Sequence, residues 1–441
     1  MLKSKVTKNA LWIIVCKIIQ SILGFVVTAL SARWLEPAGY GLINYAASIV
    51  AFATPLMQLG LNATLVNEFV KNPDKEGEIA GTAVTLNFCT SFLTILGIFA
   101  FVMIANFNEK DAIIVCVLYS MLLIFQSMEQ LQYWFLAKFK SKYTSIIMLV
   151  AYFLTAVYRI VLLITQRSIY WFAVSQSVDF LIIAVLLLIT YSKVGEQKLS
   201  FSWERAKALF KRSRHYIIAD LMIVVFTQTD KIMLQQMMGD DATGYYSAAL
   251  VSATLTAFVF TAIIDTARPV IFASKENDQA TYERNVSILY SLVIFLAIAQ
   301  GIVLTVCAYW VIKFIYGEAY MAAVPAMQIL AWYTLFSSLG SVRNIWILAE
   351  EKQKYLWITN LCGALVNVGL NFLLIHFWGI VGAAAASIIA QFFTNIITCL
   401  IIKPIRPNLK LLLKGLNPAL LFKFLHLIKN KEQEEKHDET N

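Results

Sequence analysis

Residues 32–48 read ARWLEPAGYGLINYAAS, a short charged and glycine-bearing stretch set between two long apolar runs, 10–31 and 42–66. Arg33, Glu36, Pro37, Gly39 and Gly41 supply charge and backbone freedom where one helix must end and the chain must turn back. A related turn recurs downstream at residues 238–249, MGDDATGYYSAA. Laying Gly41 on Gly244 brings Asn44 onto Ser247 and Ala46 onto Ala249, an offset of 203 residues in a chain of 441. The spacing predicts two copies of one bundle, each opened by this turn.

The rest of the composition says what solvent the bundle meets. The chain is 59% hydrophobic and 14% charged, with mean hydropathy +0.69; a soluble domain carries about 25% charged residues. So much apolar surface needs lipid. A spanning helix takes roughly 20 apolar residues, and unbonded backbone is not tolerated in hydrocarbon, so only helices or a closed barrel cross it. The runs here are long and lack the alternation of barrel strands, which predicts an all-α integral membrane protein. Twelve spans are expected, at 10–32, 42–66, 81–105, 112–137, 144–165, 168–192, 215–238, 243–272, 285–308, 322–349, 355–377 and 379–402.

Lys and Arg orient them. With the N-terminus inside, inside segments hold 27 of these residues and outside segments four: Arg33, Lys110, Arg167 and Lys313. Both termini are therefore expected in the cytoplasm, and Lys3, Lys5 and Lys8 precede a first span rather than a cleaved signal. Six spans (1–192) precede a basic linker (193–214) and six follow (215–404). Even-numbered halves run parallel, about an axis along the membrane normal. Residues 405–441 are expected to form an interfacial amphipathic segment and then a disordered charged tail.

Ionisable groups in lipid are costly and face a bundle interior or a cavity. Two belts stand out. Lys17, Arg159, Asp179, Asp230 and Lys231 lie near the middle or outer half, and Glu129, Asp220, Asp265, Arg268 and Arg343 lie in the cytoplasmic third. Their functional reading gives the cations Lys17, Arg159, Lys231, Arg268 and Arg343 to an anionic substrate, and the carboxylates Glu129, Asp179, Asp220, Asp230 and Asp265 to switching or ion coupling. The structural reading is pairing, as for Asp265 and Arg268 at i,i+3, or snorkelling near an interface. Asn360, Asn367 and Asn371 form a stripe that either lines a cavity or bonds one helix to another.

Enzymatic signals are lacking. The histidines His215, His376, His426 and His437 have no ligand spacing, no CxxC pair occurs, and there is no phosphate loop or nucleophile elbow. No enzyme activity, cofactor, metal or nucleic-acid partner is expected, and the short loops leave no room for a soluble catalytic domain.

The turn at residues 32–46, QLGLNATLVNEF (58–69), TDKIML (229–234) followed by GDDATGYYSAA, and GIVGAAAASIIAQ (379–391) together resemble the polysaccharide exporter branch of the multidrug/oligosaccharidyl-lipid/polysaccharide superfamily. They look most like bacterial O-antigen repeat-unit flippases. The resemblance covers residues 10 to about 404. It implies two six-helix bundles in a V around a cationic cavity, in the bacterial inner membrane. It implies transfer of undecaprenyl-pyrophosphate-linked oligosaccharide from cytoplasmic to periplasmic leaflet by alternating access, in lipopolysaccharide or other surface polysaccharide biosynthesis. Implied partners are membrane lipid, a polysaccharide polymerase, a chain-length regulator and a coupling H+ or Na+. Asp230 matches the recurrent acidic position of TDKIML. Two departures matter: spans one and seven lack the proline with which drug exporters bend a helix, which weakens a drug-antiport reading, and span six opens with SIYWFAVSQS rather than a GxxGAA echo, so the two halves have diverged at that end. The alternatives are a cation-coupled multidrug antiporter on the same fold and, from another class, a membrane polysaccharide polymerase. The polymerase would need a large outside loop.

Overall fold

Helices follow the apolar runs in the computed structural model, which describes the backbone of residues 2–420 and side chains from residue 23 onward. Among the described residues there is no strand. Among the same residues eight helices are long and apolar enough to cross a membrane, and a bent pair, Glu318–Leu330 with Tyr333–Ala349 (41°), passes as a ninth if it is one span. The chain is a multi-pass membrane protein.

Helix α1 (Leu2–Gln58) merges the first two expected spans. Only Glu36, at φ 56°, leaves helical geometry, directly before Pro37. The turn read from residues 32–48 is thus a one-residue kink, because a single left-handed residue is enough to redirect a helix. After a short helix (Leu65–Lys71) come α2 (Glu76–Ala105), α3 (Lys110–Ser120), α4 (Leu122–Gln126), a 3-10 stretch Ser127–Gln130 and α5 (Leu131–Ala137). Then follow α6 (Ser141–Ile164), α7 (Ile169–Val194), α8 (Trp203–Met238), α9 (Asp240–Thr254), α10 (Ala257–Asn277) and α11 (Gln279–Ile315). The chain closes with α12 (Val324–Leu330), α13 (Tyr333–Ala349), α14 (Lys354–Phe392, kinked at Gly379), a π segment Phe393–Ile397 and α15 (Pro407–Gly415).

Two compact units emerge, and the division falls inside α9. The first runs to Ser247 and takes in Ile315–Ala319. One of its cores gathers Leu61, Phe69, Ile79, Ala83, Trp134, Leu187 and Leu209; another gathers Tyr45, Ile49, Met57, Val102, Val115 and Leu123. Helix α8 packs along α1, tied by Ser48 Oγ donating to Gln228 Oε1 (3.2 Å), Gln236 Nε2 donating to Tyr45 Oη (2.7 Å) and Ser213 Oγ donating to the Leu59 carbonyl (2.7 Å). The basic linker expected at 193–214 runs into span seven. From Trp203 onward it is the start of α8, capped by Ser202, and Leu209 is buried. Upstream, the chain runs extended against α2: Ser200 N donates to the Gly77 carbonyl (3.1 Å) and Ser202 N to Thr82 Oγ1 (3.1 Å). A Cβ on Gly77 or Gly81 would stand 2.2 or 2.4 Å from linker carbonyl oxygens, so only glycine allows this approach.

The two turns matched in the sequence meet in space. A Cβ on Gly41 would lie 1.9 Å from the Asp240 carbonyl oxygen, and one on Gly244 would lie 2.0 Å from the Pro37 carbonyl oxygen.

A polar corner closes the same unit. Glu76, buried, accepts from Trp134 Nε1 (2.7 Å) and pairs with Lys138, while Arg212 pairs with the buried Glu68. Glu76→Leu strands the Trp134 N–H in an apolar core and is expected to lower stability by about 1–3 kcal/mol. Thermal unfolding in detergent measures this, and an unchanged midpoint would count against the corner as a clamp.

The second unit comprises Ala248–Phe314 and the residues from Tyr320 on. Its core unites Ile264, Tyr282, Val286, Tyr290, Val342, Trp346 and Leu411. The segment expected to lie at the lipid interface after Pro407 is α15, whose Leu411 and Leu412 are buried in this core. Tyr290 Oη donates to Asn408 Oδ1 (2.9 Å), so the amphipathic face covers protein instead. The tail beyond residue 420 lies outside the described residues.

Candidate functional site

Polar side chains converge where α6 and α7 pack together in the first unit. Thr155 and Arg159 are one helical turn apart on α6; Ser175 and Asp179 are one turn apart on α7. Arg159 Nε donates to Ser175 Oγ (3.0 Å) and Nη2 to Gln176 Oε1 (2.9 Å). Asp179, buried, accepts from Thr155 Oγ1 (3.0 Å). Arg159 keeps Nη1 without a partner among the described residues and is half-buried. Its guanidinium acts electrostatically on Asp179, Tyr40, Tyr119 and Tyr152. The Tyr152 hydroxyl sits in the notch left by Gly24 on α1, where a Cβ would come within 2.4 Å. Tyr316, buried, acts in turn on Tyr40, and Arg33 Nε donates to the Ile315 carbonyl (2.7 Å). The result is a cationic fork with spare N–H groups, rimmed by phenols. Such a fork matches phosphate oxygens and sugar hydroxyls.

Asp179 acts electrostatically on Glu129, and Glu129 and Asp220 both act on Tyr133. Lys231, half-buried on α8, donates to Gln228 Oε1 (3.4 Å), the atom that also receives Ser48. Asp230 is buried and accepts from Tyr246 Oη (2.6 Å), so the acidic position of TDKIML is joined to GYYSAA. The Lys17 side chain lies outside the described residues.

In the second unit the expected groups form bonds of their own. Arg268 and Asp265 pair at 3.1 Å on α10, both exposed. Arg343 is 2% exposed. Its guanidinium donates to the Thr394 carbonyl inside the π segment and, from Nη2, to Asn344 Oδ1 (3.0 Å). A π turn shifts a carbonyl out of the regular ladder, and Arg343 supplies the donor. Asn371 Nδ2 donates to Asn367 Oδ1 (3.1 Å), both buried, while Asn360 is half-buried. Arg343→Leu is expected to destabilise the unit by about 3 kcal/mol through the lost hydrogen bonds to the Thr394 carbonyl and Asn344 and the lost packing. Arg343→Lys would recover only part, and chemical denaturation of the purified chain measures both.

Sequence reasoning passed over Gln176, Thr155, Tyr119, Tyr152, Gln391 and Asn395. Asn395 Nδ2 donates to the Phe336 carbonyl (2.9 Å) and to Gln391 Oε1 (2.9 Å), and Gln391 donates to Tyr333 Oη (2.8 Å). The available signal was i,i+4 spacing: Thr155 with Arg159, Ser175 with Asp179, Gln391 with Asn395.

A family profile described as "Polysaccharide biosynthesis protein" matches residues 30–325. The chain belongs to this family. An uncharacterized membrane protein of Methanocaldococcus jannaschii, MJ1068, is 27% identical over 235 residues, 49% of this chain and 45% of that protein, so the chain spans about half the length of this curated relative. Among solved structures, the inward-facing form of a multidrug resistance MATE family transporter of the MOP superfamily superposes with TM-score 0.68 at 12% identity, over 88% of this chain and 96% of that one. The lipid II flippase MurJ in an inward closed conformation gives TM-score 0.69 at 15% identity, over 93% and 92%. This polysaccharide biosynthesis family member shares their fold. Its structural neighbours are transporters and flippases, not enzymes.

Proposed function

We propose that the chain is a flippase for lipid-linked oligosaccharides of the O-antigen repeat-unit kind, carried on undecaprenyl pyrophosphate and moved from the cytoplasmic to the outer leaflet of a bacterial inner membrane by alternating access. The observation that carries this is Arg159. It is a half-buried guanidinium, bonded through Nε and Nη2 but with Nη1 spare, among phenols and amides, inside a lipid-dissolved bundle. A charged group held there costs several kcal/mol unless it serves a ligand, and the bidentate fork fits a pyrophosphate. Family membership and the fold shared with a lipid II flippase support the substrate class. In this reading Lys17 and Lys231 extend the cationic lining, Arg268 contributes from the second half, and Glu129, Asp179, Asp220, Asp230 and Asp265 set switching, while Arg343, expected from the sequence to join the lining, is instead committed to the Thr394 carbonyl. Two parallel halves, with N- and C-termini in the cytoplasm, would rock about the substrate while the polyprenyl tail stays in lipid.

The test is reconstitution into liposomes with a lipid-linked oligosaccharide bearing a headgroup label. Protein-dependent movement of the label to the far leaflet is expected. Equal movement in protein-free vesicles would end the proposal. The multidrug antiport reading draws on the carboxylates near Tyr133. It predicts cation-driven efflux of cationic dyes from the same vesicles and no movement of the labelled headgroup.

A further inference from the structure

Helix α15 has two unlike faces. Asn408, Leu411, Leu412 and Gly415 are buried, and a Cβ on Gly415 would come within 2.6 Å of Tyr290 Cβ, so this face is seated closely on α11. Arg406, at the helix start, and Lys410, Leu413 and Lys414 recur at i, i+4, i+7 and i+8 and are exposed. Lys403, exposed in the 3-10 turn Lys403–Ile405, continues the ridge.

The ridge is held at the end of a span. The apolar segment Lys354–Ile401 is long enough to cross a membrane, and Leu400 lies in its last turn. Arg406 folds back onto that turn: Nε and Nη2 both donate to the Leu400 carbonyl, at 3.1 and 2.8 Å. Its Nη1 has no hydrogen-bond partner among the described residues. Lys414 is paired with Glu283 of α11 (3.1 Å), whereas Lys403 and Lys410 have no acidic partner among the described residues.

A surface that meets only water mixes both signs of charge. Here seven Lys and Arg fall between residues 403 and 431 with no Asp or Glu among them. Leu413 and Leu416 stand beside the cations, 56% and 49% exposed. Cations interleaved with exposed leucines, directly after a spanning helix, suit the boundary between headgroups and acyl chains. The leucines enter the edge of the hydrocarbon, and the Lys and Arg heads reach phosphate oxygens. Glu432, Glu434, Glu435, Asp438 and Glu439 of the same chain would meet the charge but give the two leucines no apolar cover.

We propose that Lys403, Arg406 and Lys410, with Leu413 and Leu416, form a docking surface for anionic phospholipid headgroups in the leaflet at this end of the second unit. Lys414, committed to Glu283, borders the surface. The surface is separate from Arg159 and does not depend on what the protein moves.

The experiment uses the full purified chain in a neutral detergent. Thermal unfolding is followed while phosphatidylglycerol, phosphatidylcholine or inorganic phosphate is titrated in. A saturable rise in the unfolding midpoint is expected with phosphatidylglycerol alone, by mass action on the folded state. The double variant Lys403→Gln/Lys410→Gln should weaken half-saturation at least about ten-fold, and adding Arg406→Gln should weaken it further. The midpoint in phosphatidylcholine reports whether each variant still folds. Lys71→Gln/Lys75→Gln, which removes two exposed cations from the first unit, should leave the rise unchanged; an equal loss there would reduce the effect to general attraction and overturn the proposal. A full phosphatidylglycerol shift surviving in Lys403→Gln/Lys410→Gln would also overturn it, because the lipid would then bind elsewhere or the acidic residues 432–439 would cover the ridge. So would an equal rise with phosphatidylcholine, or inorganic phosphate reproducing the shift, which would mark a phosphate site rather than a lipid surface.

Discussion

Arg159→Ala is expected to cut export of lipid-linked oligosaccharide by about ten- to a hundred-fold, with the protein still present in the membrane at normal abundance. The estimate takes the loss of charge-assisted hydrogen bonds at about 1.5–3 kcal/mol. Surface display of the finished polysaccharide in a strain lacking the native transporter, normalised to protein in the membrane fraction, measures it. Arg159→Lys tests geometry rather than charge. The guanidinium now reaches both Ser175 and Gln176 while keeping Nη1 spare; a lysine ammonium has no planar fork and should restore display only weakly. Wild-type display in Arg159→Ala at normal abundance would remove Arg159 from the substrate path and leave the cluster as helix glue.

The second large effect concerns the paired turns. Gly41→Val and Gly244→Val are each expected to lower stability by about 3 kcal/mol or to prevent accumulation altogether, because overpacking against fixed atoms has no easy relief. At Gly41 the obstacles are the Asp240 carbonyl oxygen at 1.9 Å and the Gly244 nitrogen at 2.7 Å; at Gly244 it is the Pro37 carbonyl. These are backbone atoms, and they cannot swing aside as a lysine would. Gly97 supplies the comparison: it lies in α2 with nothing within 4 Å of its would-be Cβ. Gly97→Ala should be neutral or slightly stabilising, by up to about 1 kcal/mol. Thermal unfolding and membrane abundance of the three variants give the answer. Equal behaviour of Gly41→Val and Gly97→Ala would show that the turns do not pack as described.

The apolar runs and the repeated turn made the helical membrane fold legible in advance, because lipid imposes a single requirement on every span. The turn also held more than its repetition. Residues 32–48 and 238–249 are not merely equivalent by sequence; Gly41 and Gly244 meet, and glycine is required at both for the same steric reason. Pairing was harder to read. Charge alone grouped Arg343 with Lys17 and Arg159, yet Arg343 is bonded to the carbonyl of Thr394, fifty-one residues away. No periodicity in either helix announces a π segment at 393–397. Asp265 and Arg268 were legible as a local pair because i,i+3 spacing on one helix is a short-range fact. Arg159 and Ser175 sit on different helices, and only the packing of α6 on α7 brings them within bonding distance.

The way residues 195–202 lie flush against α2 bears on how this chain can be handled. The stretch offers Gln197, Ser200 and Ser202 to partners on α2 and leaves no gap at Gly77 or Gly81. Protease nicking, epitope tags and reporter fusions all need a slack loop that can be pulled into an enzyme's cleft or stretched around a foreign insert. Here the junction between the two expected six-span halves is glued down, so a version split at that point should assemble poorly.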